Sequence, residues 1–451
     1  MKNIVLLGIQ GTSNLGDRLV CECTRLIIER LLLKHGISDV EIVSYDMLGK
    51  KYYSYLAEKK KRDAEVKIRF RLEAEQELKR ARTRVAFGTG TDALLSVNAA
   101  SDCSAQSDDE LIEKEFRRRF DEYNEKEKKD KPIQLEASSA DGAKIINADT
   151  AAVIFFGGGI IKHSHPLRLG YCMAPYIRRA DKLGIPVMIS AAGVDGFDPE
   201  NDECRLFAEI LNLPCVKTIT VRDDLELLRT AFVSSGEIRT VKVACPTFLC
   251  RELFPMGTIR EPKTIGLGVI KPDKMMEIHP DFTEEKQISL WKEITEQIEK
   301  RGFKWTFFAN GMPADHNFAK RILKAMKLPA SEENLLPNPQ SLHQLLDSYN
   351  LFEGIIASRF HVAVPCYSYG IPFTELVWNI KQLHFARDTS LEDSFFDPEK
   401  ASTEQIVDRL FLNMKRSLPE SSLDPQSVVD ELERFLLTYL SPSAQPQLPD
   451  A

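Results

Sequence analysis

No run of about eighteen apolar residues, the length a helix needs to cross a bilayer, occurs in the chain. The apolar opening Ile4-Val5-Leu6-Leu7-Gly8 is far shorter than the core of a secretory signal. Both absences lead to the expectation of a cytoplasmic protein. A basic excess is missing as well. Lysine and arginine number 60 against 67 aspartates and glutamates, a formal charge of −7, which argues against nucleic acid as the main partner. The nine cysteines stand singly apart from Cys21-Glu22-Cys23, with no C-x-x-C unit. They therefore read as reduced, mostly buried thiols rather than as a disulfide or zinc framework. His163 and His165 offer two metal ligands, but no carboxylate or cysteine follows at ligand spacing, so no metal is expected. The turn Gly11 to Asp17 lacks both the G-x-G-x-x-G spacing of dinucleotide binders and the terminal Gly-Lys-Ser/Thr of a P-loop.

With 451 residues, 43% hydrophobic and 28% charged, the chain suits two globular domains plus additions. Residues 3 to 8 read as a buried strand, Gly11 to Asp17 as a turn, and Leu19 to Leu32 as a helix, with a second strand at Glu41 to Asp46. From about Gly49 to Ala143 the composition turns to charged helical patterns, with basic runs at Lys59 to Arg62, Arg117 to Arg119 and Lys126 to Lys131. Loop is expected at Gly88 to Thr91 and Ser104 to Asp109. The plain reading of this stretch is solvated helices. The alternative is a basic face that gives peripheral contact with an anionic membrane or a lipid-linked substrate.

The sheet resumes at Ala152 to Phe156 and runs into Gly157-Gly158-Gly159, where glycines allow positive φ or close approach of a ligand. Further strands are expected at Pro186 to Ala192, Thr218 to Val221 and Val241 to Ala244, with helices between them. A linker at Arg251 to Lys263 leads to a second alternating series. Its strands are expected at Thr264 to Val269, Lys304 to Phe308, Phe352 to Ala357 and Pro372 to Leu376. Its helices fall at Glu284 to Lys300, His316 to Met326, Ser341 to Tyr349 and Phe360 to Tyr369. Alternation of this kind implies mostly parallel, doubly wound sheets. The fold expected is α/β and GT-B-like, with two Rossmann-like domains facing a cleft. The N-terminal one covers 1–255 with its charged insertion near 50–145, and the C-terminal one covers 264–390. Residues 391–451 supply helices and a disordered tail.

The stretch Ser358-Arg359-Phe360-His361 follows a short apolar strand and opens a helix, with Ser358 as candidate N-cap. A helix start beyond a strand end favours anions, an arginine adds a planar fork of donors, and a histidine titrates near neutrality. A surface arginine and a capping histidine are the alternative.

Several stretches in order resemble the polysaccharide pyruvyl transferases: Asn14-Leu15-Gly16-Asp17, Gly157-Gly158-Gly159, Gly184-Ile185-Pro186-Val187, Val221-Arg222-Asp223 with Leu228, and Ser358-Arg359-Phe360-His361 with Gly370-Ile371-Pro372. The resemblance spans roughly residues 3 to 385 and leaves 50–145 uncovered. Phe360 stands where the family usually has leucine, and Cys245 stands before Pro246 where the family commonly has aspartate. The resemblance implies transfer of pyruvate from phosphoenolpyruvate onto two hydroxyls of a saccharide, or of its lipid-linked precursor, with no cofactor demanded. It implies substrate binding by Arg222 and Arg359 as a clamp and by Asn14, Gly158 and Gly159. His361 would be the proton donor, and Asp17 would bind or deprotonate the acceptor, unless it is only a helix-start carboxylate. Glu375, Lys381 and Asp315 are weaker candidates, Asp315 most simply as an N-cap. A glycosyltransferase using a nucleotide-sugar donor, with Glu375 at the ribose, and a non-catalytic saccharide-binding protein are the competing readings.

Overall fold

The computed structural model describes residues 2–86, 107–162, 168–255 and 263–440. His163, His165, the loop at Gly88 to Thr91, the first half of Ser104 to Asp109, the middle of the expected linker and the tail from Ser441 lie outside the described residues. The chain forms two compact units. One is Leu48–Gly142, and the other comprises the residues on either side of it.

The larger unit holds two parallel sheets. In the first, strands β1 (Lys2–Gly8), β2 (Val40–Asp46) and β3 (Thr150–Phe156) are followed by β4 (Ile161–Lys162), β5 (Val187–Ala192), β6 (Val194–Asp195), β7 (Val216–Val221) and β8 (Arg239–Lys242). Their order is β2-β1-β3-β5-β7-β8, while β4 and β6 make a small ribbon of their own. In the second sheet, β9 (Thr264–Gly268), β10 (Lys304–Phe308), β11 (Gly354–Ala357), β12 (Phe373–Leu376) and β13 (Phe395–Phe396) lie in the order β10-β9-β11-β12-β13. Ile154, Phe155, Ile189, Ile265, Leu267 and Ile356 are fully buried, as strands covered by helices on both faces require. Each sheet reverses its winding direction next to its first strand, between β1 and β3 and between β9 and β11. Such switch points leave a crevice beyond the carboxyl ends of the strands, where ligands of open α/β sheets bind.

Helix α1 (Leu15–Lys34) follows β1. The last helix, Ser427–Leu440, returns to the first half. It packs on β3, β5 and β7 and ties Arg239 of β8 to Glu431 through two hydrogen bonds of 2.6 Å. Many boundaries read from periodicity coincide with the observed ones, including Glu284–Lys300, Lys304–Phe308 and Phe360–Tyr369. The helix after β7 is less regular, because Leu225–Leu227 is α-helical and Leu228–Phe232 winds as a π-helix.

The smaller unit is a pair of long helices, Gly49–Ala86 and Asp108–Gly142, packed along each other. The run Arg117 to Arg119 is neutralised locally. Arg117 pairs with Glu113, Arg118 with Glu115 and Glu122, and Arg119 joins its own helix to Glu73 and Glu77 of the other. Among the described residues of the whole chain, no helix is long and apolar enough to cross a membrane.

Candidate active site

Both switch points carry residues that the sequence singles out. On the first sheet, Asn14 caps α1, its Oδ1 accepting from Gly16 N at 3.2 Å. Its amide also donates to Asp17 Oδ2 at 2.7 Å, while Asn310 Nδ2 donates to Asn14 Oδ1 at 3.2 Å. Both polar ends of Asn14 are thus spent on holding the turn and Asp17. Gly157 and Gly158, at the end of β3, have φ of 87° and 61°, conformations that glycine alone adopts without cost. A side chain at Gly158 would begin 3.9 Å from Asp17 Oδ1, and one at Gly159 would enter open space. The Gly-Gly-Gly turn therefore runs past the Asp17 carboxylate without covering it.

On the second sheet, β11 delivers the Ser-Arg-Phe-His stretch. The residue at the N-cap position is Arg359, not the expected Ser358, and its side chain makes no capping hydrogen bond. Ser358 instead leaves the strand fully buried, its hydroxyl without a partner. His361, at φ −82° and ψ 24°, kinks the first turn of the helix. A Cβ on Gly16 would fall 2.5 Å from His361 Cβ and 2.7 Å from Asn310 Nδ2. Only a glycine lets α1 approach the histidine this closely.

His361 is buried between an anion and a cation. Its Nδ1 lies 3.3 Å from Asp17 Oδ1, and its Nε2 lies 3.1 Å from Arg222 Nη1. Nε2 accepts from the guanidinium, so Nδ1 carries the hydrogen and donates to Asp17. Burial works to raise the Asp17 carboxyl. The hydrogen bond and charge of His361, with the charges of Lys381 and Arg222, outweigh it and hold the group well below the usual carboxylate range. Asp17 thus supplies His361 with an anion before any substrate binds.

Arg222 stands at the end of β7 with 5% of its surface exposed. Its guanidinium lies 5.2 Å from the centre of the Phe360 ring, and Nη1 also reaches Cys245 Sγ at 3.6 Å. Its Nε and Nη2 have no hydrogen-bond partner. Lys381 places its ammonium 5.4 Å from the ring centres of both Phe360 and Trp378. Burial first, then the nearby charge of Arg222, pushes this ammonium down to about 8, with Lys162 and Arg359 adding to the effect and Asp17 opposing it.

Arg359 is arranged differently from the expected clamp. Its Nε and Nη2 bond the two carboxylate oxygens of Asp315 at 2.8 and 2.9 Å. Asp315 is fully buried and also accepts from Lys271 N at 2.9 Å, while the cap of its helix (Pro313–Ala325) is Met312. A buried carboxylate left unpaired is costly, so Asp315 captures the fork next to it. The arginine beside His361 is Arg222.

Glu375 is fully buried at the end of β12, where Gln382 donates to it at 2.7 Å and burial pushes its acid up to about 8. Glu375 is thus not exposed to a ribose. Sequence reasoning did not find Asn310, which follows β10 without any motif. It noted Cys245 only as a departure from the family pattern. The signal lay in its position before Pro246 at the end of the first series.

The sequence profile of the polysaccharide pyruvyl transferase family matches residues 14–379. No curated protein matches the sequence. Among solved structures, the chain is similar to UDP-GlcNAc 2-epimerase from Methanocaldococcus jannaschii, at 13% identity over 96% of this chain and 99% of that one, with a TM-score of 0.52. It is also similar to S. aureus MnaA in a co-structure with UDP, at 10% identity over 100% and 99% of the two chains and a TM-score of 0.51. A third likeness is to UDP-GlcNAc 2-epimerase from Neisseria meningitidis bound to UDP-GlcNAc, at 12% identity over 97% and 100% and a TM-score of 0.50. At such identities these likenesses show the fold, which is of the GT-B type.

Proposed function

Because the chain belongs to the polysaccharide pyruvyl transferase family, we propose that it transfers pyruvate from phosphoenolpyruvate to two hydroxyls of a saccharide or its lipid-linked precursor. The products are a cyclic ketal and phosphate. The observation that carries this reading is the buried Arg222 guanidinium, which keeps Nε and Nη2 unpartnered while Nη1 meets His361. Buried donors are normally satisfied, and a small, highly charged donor carrying phosphate and carboxylate together would satisfy these. Lys381 adds a second cation, whereas the charge of Arg359 is neutralised by Asp315.

The reaction needs a proton on the methylene carbon of phosphoenolpyruvate so that C2 becomes electrophilic. When Arg222 turns its donors to the substrate, His361 Nε2 is released to carry that proton, with Asp17 at Nδ1 stabilising the imidazolium. His361 gives the proton to the methylene and then takes one from the first hydroxyl as its oxygen bonds to C2. Phosphate leaves with the C2–O electron pair. The second hydroxyl adds in its place, its proton going to the departing phosphate. Asp17, held far below the usual range, is too weak a base for either hydroxyl and acts by orienting His361.

The test is thermal unfolding with phosphoenolpyruvate and, separately, with a panel of nucleotide sugars. At about a hundred times its Kd, a ligand adds roughly 2.7 kcal/mol. Stabilisation by phosphoenolpyruvate that Arg222→Ala abolishes is the expected result. Stabilisation by a nucleotide sugar alone would overturn the proposal in favour of glycosyl transfer.

A further inference from the structure

Arg222 is buried, yet among the described residues no carboxylate lies within ion-pair distance of it. Its polar neighbours are His361 and the sulfur of Cys245, at 3.6 Å from Nη1. Cys245 is 3% exposed and begins the turn Pro246–Leu249, with Thr247 Oγ1 3.1 Å from its sulfur. It lines a small cavity together with Arg222, Phe360 and Lys381. A guanidinium removed from water with no carboxylate in contact is unfavourable. Here a thiol occupies the position where that carboxylate would sit, and Nε and Nη2 of Arg222 remain without a partner.

We propose that Cys245 works as a thiolate, the resident counter-anion of Arg222 and His361. In this role it is a positioning residue. It steadies Arg222 before the donor arrives and, once Arg222 turns to the substrate, favours the protonated imidazole that the proton transfer requires. The role in catalysis rests on the pyruvyl transfer reading, whereas the ionisation does not.

The electrostatic surroundings agree. Burial alone would raise the thiol, but the charge of Arg222, then the hydrogen bond and charge of His361 and the hydroxyl of Thr247, bring it down to about 6. Asp223, Lys381 and Asp388 face the same cavity, and Cys23 approaches from α1. Cys21, Cys23 and Cys366, also buried, are driven the opposite way, first by desolvation and then by neighbouring acidic groups or thiols.

The decisive measurement is thiolate absorbance near 240 nm across pH 4 to 9, taken as the full chain minus Cys245→Ser, with Cys245→Asp as a second thiol-free reference. A step centred near pH 6 is expected. A step at the ordinary thiol value of about 8.5, or no step, overturns the proposal. The pH profile of phosphate release then tests the role. Cys245→Ser should lower kcat on the order of 10²-fold without raising KM for phosphoenolpyruvate. Cys245→Asp should restore kcat to within roughly threefold and move the acid limb down by more than about one pH unit, because a carboxylate ionises lower. A serine variant with the wild-type rate and profile removes the role. A wild-type protein that releases no phosphate from phosphoenolpyruvate with any acceptor removes the functional reading, while the absorbance titration still decides the thiolate.

Discussion

His361 illustrates how much of this site is fixed by single atoms. The close approach of α1 leaves no room for a side chain at Gly16, so Gly16→Ala must push the histidine or Asn310 aside. We expect a loss of about 1–3 kcal/mol in urea unfolding, as for other overpacked positions, and a fall in turnover larger than the loss of folded protein explains. Loss of His361 itself, as His361→Ala, should reduce turnover by roughly 10²–10⁴-fold while thermal stabilisation by phosphoenolpyruvate persists. Glu375 permits a prediction with a definite sign. Its acid is raised from 4.5 to about 8 in the folded protein, so the folded state holds a proton that the unfolded state releases. The stability it contributes is full below about pH 4.5 and is lost as pH rises toward 8. Glu375→Gln should therefore flatten the fall in melting temperature between pH 5 and pH 8. A fall as steep as in the wild type would show that the acid is not held protonated.

The helices do more than fill space between strands. Asn14 has two tasks at the start of α1, because its side chain both caps the helix and holds the Asp17 carboxylate. Asn14→Ala should cost about 1 kcal/mol as a lost cap, and it should also lower kcat, because Asp17 then no longer fixes His361. Equal loss of stability with an unchanged kcat would confine Asn14 to capping. The last helix shows that sequence order and spatial partner differ. Val428, Leu432, Phe435 and Leu436 are buried at helical spacing, but they cover strands of the first sheet. Leu432→Ala should cost about 2–5 kcal/mol in chemical denaturation, a cost that a merely appended tail would not show.

At the scale of the whole larger unit, each sheet contributes half of the candidate site. The first brings Asp17, Arg222 and the glycine turn, and the second brings His361, Arg359 and Lys381. Asn310 and the Gly311 turn meet the other half at Ser13 and Leu15, where Leu15 N donates to Asn310 O at 3.2 Å. A charge cluster of this kind responds to its ligand. Lys381, lowered from 10.5 to about 8, sheds its proton on folding above pH 8, so it contributes more stability as pH rises from 8 toward 10.5. A bound anion should reverse that shift. Stabilisation by phosphoenolpyruvate should consequently weaken between pH 7 and pH 9.5, and Lys381→Met should remove most of that dependence.

The sequence alone determined the elements, because apolar runs of strand length and helical periodicities are local properties. Lys304–Phe308 and Glu284–Lys300 could be delimited without any knowledge of their neighbours. It also singled out the turns that make up the candidate site, since small residues and ionisable groups after a strand mark a turn that a ligand can approach. What the tertiary structure decided was pairing. Arg222 and Arg359 are alike in sequence context, each following an apolar strand, yet one keeps free donors and the other is closed on Asp315, 44 residues away. Lys381 and Glu375 lie six positions apart, and one joins the charge cluster while the other is buried as a neutral acid. Cys245 acquires an anionic character only from the guanidinium and imidazole brought to it by other strands. Burial and the sign of the nearest charge are set by residues far away along the chain, so they became legible only when the chain was folded.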